Sequence, residues 1–292
     1  MRNQPLISVI MSEYNTDVIL LKQSIKSILE QTYKNFEFII IDDCGKNNID
    51  EIIKEFNDDR IKIYKNDKNR GLVYSLNRAL NIAKGKYIAR MDTDDYSYKH
   101  RLEDESDFLE NNPEYDVIGG NVDYYDGSVI WGKTNNCQGI IKKEDILNSV
   151  PLCHPTVMAK REVYLAVGGY PNFKRCEDYA LWIELFSKGY KLYRIKNTVL
   201  RYHLSLEDYK KRTLKTRKDF FRLLNTQYTK LNPTKSQIIK IKIKNIIAGI
   251  MPYKIMYWYH RNKARRRNVW LKKKFIIVGL EEMNYLQRQK DV

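Results

Sequence analysis

The chain has 292 residues, of which 43% are hydrophobic and 30% are charged, a composition that is typical of a folded globular protein and excludes a wholly disordered one. It contains no run of about 18 uncharged apolar residues, and its first residues lead straight into an apolar segment, so we expect neither a membrane-spanning helix nor a secretory signal. The net charge of +16 is concentrated in residues 201–292, which hold 24 Lys and Arg against 6 Asp and Glu. This region suits an anionic partner, either a membrane surface, a nucleic acid or an acidic polymer.

Short apolar segments alternate with amphipathic segments over the first 95 residues. Strands are predicted at 6–11, 36–41, 61–64 and 86–91, and helices at 18–31, 49–56 and 72–83. This alternation is typical of a parallel sheet that helices cover on both faces. Ligands bind such sheets at the carboxyl ends of the strands. Because the polar clusters 13–15, 42–43 and 92–95 follow three of the strands, we expect them to converge on one edge of the sheet.

The second part of the chain has a less regular pattern. Strands are predicted at 116–124, 154–158, 190–195 and 199–203, helices at 99–111, 161–167 and 178–187, and a loop at 125–139. From about residue 205 the chain becomes helical and basic. The predicted architecture is an α/β fold with a Rossmann-like, mostly parallel sheet in two halves, 1–98 and 99–205, followed by a basic helical region, 206–292.

The strongest local signal is the acidic segment after the fourth predicted strand. Asp92, Asp94 and Asp95 place three carboxylates within four residues, where they repel one another unless a cation or hydrogen-bond donors compensate. A buried strand that leads directly into this segment favours a site for Mg²⁺ or Mn²⁺. The alternative is an acidic turn that is exposed to solvent.

Other polar positions each allow a structural and a functional interpretation. Asp43 is either a helix N-cap or an acceptor for a nucleobase N–H. Arg70 belongs either to an ordinary surface turn or, together with Gly71 and the helix that follows, to a phosphate site. Glu177 and Asp178 either favour the start of a helix through its dipole or supply a general base near an acceptor hydroxyl.

The thiols and the lone histidines carry weaker signals. No C-x-x-C pair occurs and no His lies at zinc-ligand spacing, so we expect reduced structural thiols in a cytosolic protein, while a zinc site assembled from distant segments stays open. His154 and His203 fit structural histidines, and spacing alone makes neither a ligand. The four cysteines are Cys44, Cys137, Cys153 and Cys176.

Several segments, taken in chain order, match the motifs of one enzyme family. The segments are 7–15, 24–33, 40–43, 69–72, 85–95, 154–158, 167–170 and 177–182. Together they resemble glycosyltransferase family 2, the inverting, nucleotide-sugar-dependent enzymes with a GT-A fold, over residues 5–205. Two departures are Glu13, where Thr is usual, and Cys44-Gly45, where Gly-Ser is usual. The Gln-x-x-Arg-Trp motif of processive members is absent, which favours transfer of a single sugar.

The resemblance implies roles for individual residues. The metal ion would be bound by Asp94 and Asp95, with His203 as a further candidate. Asp178 would be the catalytic base, supported by Glu177, and His154 would shape the acceptor pocket. The nucleotide sugar would be held by a larger set, namely Ser12, Glu13, Tyr14, Asp43, Arg70, Asp92 and Asp94.

The function that the resemblance implies is transfer of one sugar, a hexosyl or N-acetylhexosaminyl group, from a UDP-sugar to a hydroxyl group. The expected acceptor is a lipid-linked saccharide in cell-surface polysaccharide assembly, and the expected cofactor is Mn²⁺ or Mg²⁺. The basic C-terminal region predicts peripheral attachment to an anionic membrane at the cytoplasmic face, or else a helical appendage that packs on the catalytic part. Two alternatives remain open: a catalytically degenerate sugar-nucleotide binder, and nucleic-acid binding by the tail, which we do not expect because no recognised motif is present.

Overall fold

One mixed sheet organises the chain in the computed structural model, which describes residues 4–134 and 138–264. The strands are β1 (Ile7–Glu13), β2 (Phe36–Asp42), β3 (Ile61–Lys65), β4 (Tyr87–Arg90), β5 (Tyr96–Ser97), β6 (Val117–Tyr125), β7 (Ile130–Lys133), β8 (Gly139–Ile140), β9 (Val157–Lys160) and β10 (Leu192–His203). Their order in the sheet is β3-β2-β1-β4-β9-β6-β10-β5, with β7 on β6 and β8 on β10.

The helices flank this sheet and extend beyond it at the C-terminal end. They are α1 (Val18–Leu29), α2 (Ile49–Lys54), α3 (Leu72–Ile82), α4 (Arg101–Asn111), α5 (Lys143–Asn148), α6 (Arg161–Ala166), α7 (Glu177–Ser187), α8 (Leu206–Lys210), α9 (Lys218–Asn225), α10 (Lys235–Ile250) and α11 (253–264). Short 3₁₀ turns occupy His154–Thr156, Lys215–Arg217 and Tyr228–Leu231.

The first four long strands form the parallel half of the sheet that the sequence predicts. β2 and β4 both pair with β1 in parallel, and β3 pairs with β2 in parallel. Val9 of β1 packs in the cluster that contains α1, whereas Ile10 packs in the cluster that contains α3. Because alternate side chains enter two cores, these strands need apolar residues at nearly every position.

The second half of the sheet is where the structure differs from the sequence prediction. β9 runs antiparallel to both β4 and β6, while β6 and β10 are parallel to each other. The segment 125–139, predicted to be a loop, contains β7 and begins β8, which pair with β6 and β10. The two strands predicted at 190–195 and 199–203 are one strand, β10, with register shifts between Arg194 and Thr198 and again before Leu200. Six of the described strands share one direction, so the prediction of a mostly parallel sheet is confirmed.

The basic C-terminal region packs on the catalytic part through two apolar contacts. Leu223 and Ile241 join the core cluster that contains α7. Met256 of α11 joins a second cluster with Trp131 and Tyr209. No described helix is both long enough and apolar enough to cross a bilayer. The basic clusters 265–267 and 272–274 lie outside the described residues, and the division into 1–98, 99–205 and 206–292 stays a prediction, although β5 and β10 join the first two parts in one sheet.

Candidate active site

Three neighbouring strands bring the predicted nucleotide residues to one edge of the sheet. Ser12 and Tyr14 lie at the end of β1, Asp43 follows β2, and Asp92 follows β4. Since β2, β1 and β4 are adjacent and parallel, their carboxyl ends meet, as the pattern predicts. The ring of Tyr14 is 51% exposed, so it presents an aromatic face beside this edge.

Asp43 holds the turn that precedes α3. Its carboxylate accepts hydrogen bonds from the backbone N–H groups of Arg70 and Gly71, both at 2.8 Å, and from the amide of Asn66 at 2.6 Å. The Arg70 guanidinium instead pairs with Asp67 at 2.8 Å on the surface. The structural alternative for Asp43, an N-cap on the helix that follows it, is wrong, because α2 begins after Asn48. Gly71 starts α3 with a φ of 87°, which suits glycine.

Glu13 is a buried link between two loops. Its Oε1 accepts hydrogen bonds from the Thr16 N–H at 3.0 Å and the Asn47 amide at 2.9 Å, while Oε2 has no partner among the described residues. Burial raises the pKa of this carboxyl above its usual range. Gly45 leaves the space that the link requires, since a Cβ there would lie 2.9 Å from the Asn15 nitrogen. The two departures from the family pattern, at Glu13 and at 44–45, therefore belong to one local arrangement.

The acidic loop 92–95 is fixed from several sides. Asp92 forms an ion pair with the buried Arg90, and its carbonyl accepts a hydrogen bond from the Ser24 hydroxyl at 2.7 Å. The hydroxyls of Thr93 and Thr16 are 2.7 Å apart. These contacts join the loop to α1 and to the β1–α1 connection, so its carboxylates are held in place before a ligand arrives.

Asp95 and His203 meet where β4 and β10 end. Asp95 Oδ1 accepts a hydrogen bond from the His203 backbone N–H at 2.7 Å. Asp95 Oδ2 and His203 Nδ1 are buried without hydrogen-bond partners among the described residues. Burial and the charge of Asp92 raise the pKa of Asp94 to about 6, and the same two causes raise the pKa of Asp95. The acidic segment is therefore not a solvated turn.

These groups fit a hard divalent cation that also has ligands from elsewhere. Two carboxylates, one of which has an unpartnered buried oxygen, and an imidazole nitrogen suit Mg²⁺ or Mn²⁺. No three His, Cys, Asp or Glu side chains in 4–134 and 138–264 form a ready-made metal group, and phosphate oxygens commonly complete such shells. Cys44, Cys153 and Cys176 are free thiols, whereas Cys137 lies outside the described residues.

The first turn of α7 carries the pair predicted to serve as the base. Asp178 Oδ1 accepts a hydrogen bond from the Tyr179 N–H at 2.7 Å. Burial raises the pKa of Asp178 to about 6 and, together with the Asp178 charge, raises that of Glu177 to about 7. At neutral pH a carboxylate with the pKa of Asp178 is mostly ionised, and it is a stronger base than an exposed one. The start of α7 therefore carries two buried carboxyl groups of raised pKa, which is the property that the predicted base requires.

His154 forms part of the surface beside this pair. Its Nε2 lies 3.0 Å from the Tyr170 hydroxyl, and its Nδ1 lies 3.9 Å from Glu177 Oε1. Burial and the charge of Arg90 lower the pKa of His154 well below its usual range, so the ring is neutral. These contacts agree with a structural histidine that shapes a pocket wall.

A cleft of about 690 Å³ connects the acidic loop with the start of α7. Asp92, His154, Glu177 and Asp178 all line it. The other predicted site residues lie outside its lining, at the strand ends and in the acidic loop. The structure thus separates the edge with the predicted nucleotide residues from a cleft that the predicted base lines.

Four residues of this site were missed by sequence reasoning although the sequence carries a signal for them. Arg90 is a 1% exposed cation in an otherwise apolar strand, and its charge opposes the pKa increases of Asp95, Glu177 and Asp178. The other three are polar side chains on the buried face of α1 or just after it, and they hydrogen-bond to the segment 92–102; they are Ser24, Ser27 and Gln31. A polar residue in an apolar pattern is the signal in each case.

Known proteins are similar to this chain in sequence over much of its length. The sequence model of the family described as Glycosyl transferase family 2 matches residues 8–168. A relative from Bacillus subtilis (strain 168) that is named as a glycosyltransferase, EpsE, is 32% identical over 279 residues, which cover 94% of this chain and 99% of the relative. The Escherichia coli enzyme named UDP-Glc:alpha-D-GlcNAc-diphosphoundecaprenol beta-1,3-glucosyltransferase WfaP is 34% identical over 191 residues, or 64% of this chain and 72% of that enzyme.

Solved structures show the same fold. S. aureus TarS 1-349 aligns with a TM-score of 0.62 at 17% identity, over 84% of this chain and 70% of that one. The complex of TarS 1-349 with UDP-GlcNAc aligns with a TM-score of 0.60 at 18% identity, over 83% and 72% of the two chains. The family model covers more than half of the sequence, including the parallel strands and the acidic loop after β4. The chain belongs to glycosyltransferase family 2.

Proposed function

We propose that this protein transfers one sugar from a UDP-sugar to a hydroxyl group of a lipid-linked saccharide, with inversion at the anomeric carbon. The observation that carries the proposal is the position of Asp178, a base of raised pKa that lines the same cleft as Asp92 of the acidic loop. The names of relatives and fold neighbours support the substrate classes: WfaP is named for a UDP-glucose donor and a diphosphoundecaprenol acceptor, and TarS has been solved with UDP-GlcNAc. The sugar is accordingly a hexosyl or N-acetylhexosaminyl group.

The proposed reaction is one displacement in which each group of the chain has a defined task. The acceptor oxygen attacks the anomeric carbon, and the bond from that carbon to the diphosphate oxygen breaks with its electron pair on the diphosphate. Asp178 takes the proton of the attacking hydroxyl, and the nearby Glu177 keeps this end of the cleft negative. No covalent link to the protein forms, so the configuration of the anomeric carbon inverts.

Asp94, Asp95 and His203 are the groups that would hold Mn²⁺ or Mg²⁺ in this proposal. When bound, either ion supplies Lewis-acid stabilisation of the charge on the departing diphosphate. The support for the assignment is that Asp95 Oδ2 and His203 Nδ1 are both buried without partners among the described residues, while the His203 backbone N–H donates to Asp95 Oδ1. On the nucleotide side, Ser12, Glu13, Tyr14, Asp43 and Arg70 surround the edge where the uracil and ribose would lie; Asp43 and Glu13 act there by fixing the loops 70–71 and 44–47.

Calorimetric titration with UDP tests the nucleotide half of the proposal. We expect UDP to bind with Mn²⁺ or Mg²⁺ and to bind at least tenfold more weakly with chelator, while GDP and CDP bind weakly. The Asp95→Ala variant should lose the metal dependence, whereas Asp116→Ala, at a surface ion pair with Lys160, should keep it. Binding of UDP without hydrolysis or transfer of any UDP-sugar would favour the degenerate binder, and metal-independent binding would contradict the cation assignment.

An exposed apolar stripe on α10 supports attachment to an anionic membrane. At 3.6 residues per turn its members lie on one face of the helix, with Lys235 and Lys242 on one flank and Lys240 and Lys244 on the other. The stripe consists of Ile239, Ile243, Ile246, Ile247 and Ile250. An apolar face between two rows of lysine suits an interfacial helix on anionic lipid. α11 continues the surface with Ile255, Trp258 and Tyr259, all exposed.

Vesicle flotation of the full chain tests the membrane proposal. We expect binding to vesicles that contain phosphatidylglycerol and little binding to pure phosphatidylcholine. The Ile243→Glu/Ile247→Glu variant should lose most of this binding, whereas Leu165→Glu, at a similarly exposed position on α6, should retain it. Equal flotation of both variants would contradict the proposal, and salt-sensitive RNA binding stronger than vesicle binding would favour the nucleic-acid alternative.

A further inference from the structure

One wall of the catalytic cleft is built from cations that lie outside the segment matched by the family. Arg175 precedes α7, Arg212 follows α8, and Lys263 lies on α11; all three line the cleft that Asp92 and Asp178 also line. None of the three belongs to a segment that matches a family motif, because Arg175 lies between the segments 167–170 and 177–182 and the other two lie beyond residue 205. Arg212 and Lys263 reach the cleft because the basic C-terminal region folds back onto the catalytic part through Met256 and its neighbours.

The three cations are not neutralised by the part of the protein that the structure describes. None of them forms an ion pair with a carboxylate of residues 4–134 or 138–264, whereas the adjacent Lys210 and Lys211 pair with Glu207 at 2.6 Å and Asp208 at 3.0 Å. The Arg212 guanidinium instead lies over the Tyr209 ring, 4.6 Å from its centroid. Positive charge that faces a cleft without an internal partner is available to an anionic ligand.

His260 shows that the charges of Arg212 and Lys263 converge. Burial lowers the pKa of His260, and the charges of these two residues lower it further. Its Nδ1 lies 2.8 Å from the Tyr209 hydroxyl, so the ring bridges the segment after α8 and α11. Arg212 and Lys263 thus belong to one surface, and Arg175 lies next to it because its guanidinium donates a hydrogen bond of 3.4 Å to the Lys211 carbonyl.

The spacing on α11 connects this wall to the membrane-facing surface. His260, Lys263 and Ala264 line the cleft, while Ile255, Trp258 and Tyr259 of the same helix are exposed. One helix therefore presents apolar and aromatic residues outward and a cation inward. A ligand whose anionic group joins a lipid to a sugar would meet both surfaces.

We propose that Arg175, Arg212 and Lys263 form a subsite for the phosphate or diphosphate group of the acceptor. The inference rests on the proposed transferase function and deepens it, because it assigns acceptor recognition to residues of this chain. Guanidinium and ammonium groups bind phosphate oxygens through charge-assisted hydrogen bonds. The donor also carries a diphosphate, so the shared chemistry is a diphosphate, and the experiment must separate the two sources.

Calorimetry on the full chain saturated with UDP and Mg²⁺ separates binding of the acceptor diphosphate from binding of the donor diphosphate. The probe is geranyl diphosphate, with geraniol as its uncharged control. We expect geranyl diphosphate to bind and geraniol not to bind, and we expect the Arg212→Gln/Lys263→Gln variant to bind the diphosphate at least about tenfold more weakly, which is about 1.4 kcal/mol. Its UDP affinity should change less than about twofold, and Arg212→Lys should restore most of the loss that Arg212→Gln alone causes.

A matched control is Lys210→Gln/Lys211→Gln, which removes the same charge from neighbouring, internally paired lysines. It should leave the diphosphate affinity unchanged, and an equal loss would overturn the subsite in favour of general charge attraction. A parallel loss of UDP affinity in the Arg212→Gln/Lys263→Gln variant would mean that these cations bind the donor diphosphate, and it would also overturn the proposed acceptor subsite. Unchanged geranyl diphosphate affinity overturns the subsite alone, whereas a parent chain that does not bind UDP overturns the proposed function and the subsite with it.

Discussion

The acidic loop and the cationic wall face the same cleft, but the protein holds them in opposite ways. In the acidic loop, Asp92 pairs with Arg90 and Asp95 accepts a backbone hydrogen bond. In the wall, Arg175, Arg212 and Lys263 have no carboxylate partner among the described residues. The acidic loop is therefore ordered before any ligand binds, whereas the cations of the wall remain available to bind an anionic ligand.

From this difference we expect the acidic loop and α7 to serve the chemical step and the cationic wall to serve ligand binding. Buried carboxylates whose pKa values are raised, as at Asp95 and Asp178, are destabilised in their ionised form. A bound cation or an accepted proton removes this destabilisation. Unpaired surface cations are not destabilised in this way, and their substitution should change the free energy of unfolding little. We therefore expect substitutions near the loop and at α7 to alter turnover and stability, and substitutions in the wall to alter only the affinity for an anion.

The largest effect should come from Asp178→Asn. The amide keeps the size of the carboxylate but does not take the proton, so turnover should fall by about 10³-fold while the UDP affinity stays within about twofold of the parent. Sugar transfer and UDP calorimetry measure the two quantities, and Glu162→Gln on the exposed side of α6 is the control. Near-normal turnover in Asp178→Asn would mean that the base lies elsewhere.

Arg90→Gln should produce the largest loss of stability, because it leaves several acidic groups around one buried position without their cation. We expect the free energy of unfolding to fall by about 3 kcal/mol, measured by chemical denaturation. The exposed Lys22–Glu55 pair, at 2.6 Å, is the comparison: Lys22→Gln should change the free energy by less than about 0.5 kcal/mol.

The loss in Arg90→Gln should depend on pH with a defined sign. Arg90 lowers the raised pKa values of Glu177 and Asp178, so its removal raises them further above their unfolded values of about 4. Stability from such groups is present below the unfolded pKa and is lost as the pH rises through the folded pKa. The deficit should therefore be larger at pH 8 than at pH 5, and a deficit that does not change with pH would contradict an electrostatic role for Arg90.

The part of the fold that the sequence predicts well is the part with local signals. Continuous apolar runs such as β2 and polar clusters at strand ends predict a parallel sheet and its ligand edge, as observed. The pairing of β9 between β4 and β6 is not local, and the polar Lys196 and Asn197 inside β10 made one irregular strand look like two. The short strands β7 and β8 exist because β6 and β10 offer edges for them, which the segment 125–139 does not itself encode.

The residues of the candidate site also divide into those that local sequence signals predict and those that only the fold brings together. Asp92, Glu177 and Asp178 were predicted from motifs and do meet at one cleft. Arg90 could have been found as a charge inside a buried strand. Arg212 and Lys263 of the cationic wall could not, because net charge predicts an anionic partner but not which of the 24 basic residues of 201–292 line the cleft in the fold.

The smallest effect, and the one that best defines the base, is the acid limb of the pH–rate profile. Burial raises the pKa of Asp178 to about 6, and only its ionised form accepts a proton. The value of kcat/KM should therefore fall about tenfold per pH unit below pH 6, whereas an exposed carboxylate would shift this limb to about pH 4. UDP calorimetry at pH 5 separates the base from the acidic loop, because protonation of Asp178 alone leaves nucleotide binding intact, whereas protonation of Asp94, whose pKa is also raised to about 6, would weaken it. A limb near pH 4 would mean that the base is not buried as Asp178 is. The contrast between buried carboxylates that perform the reaction and unpaired cations that bind the ligand would then be wrong.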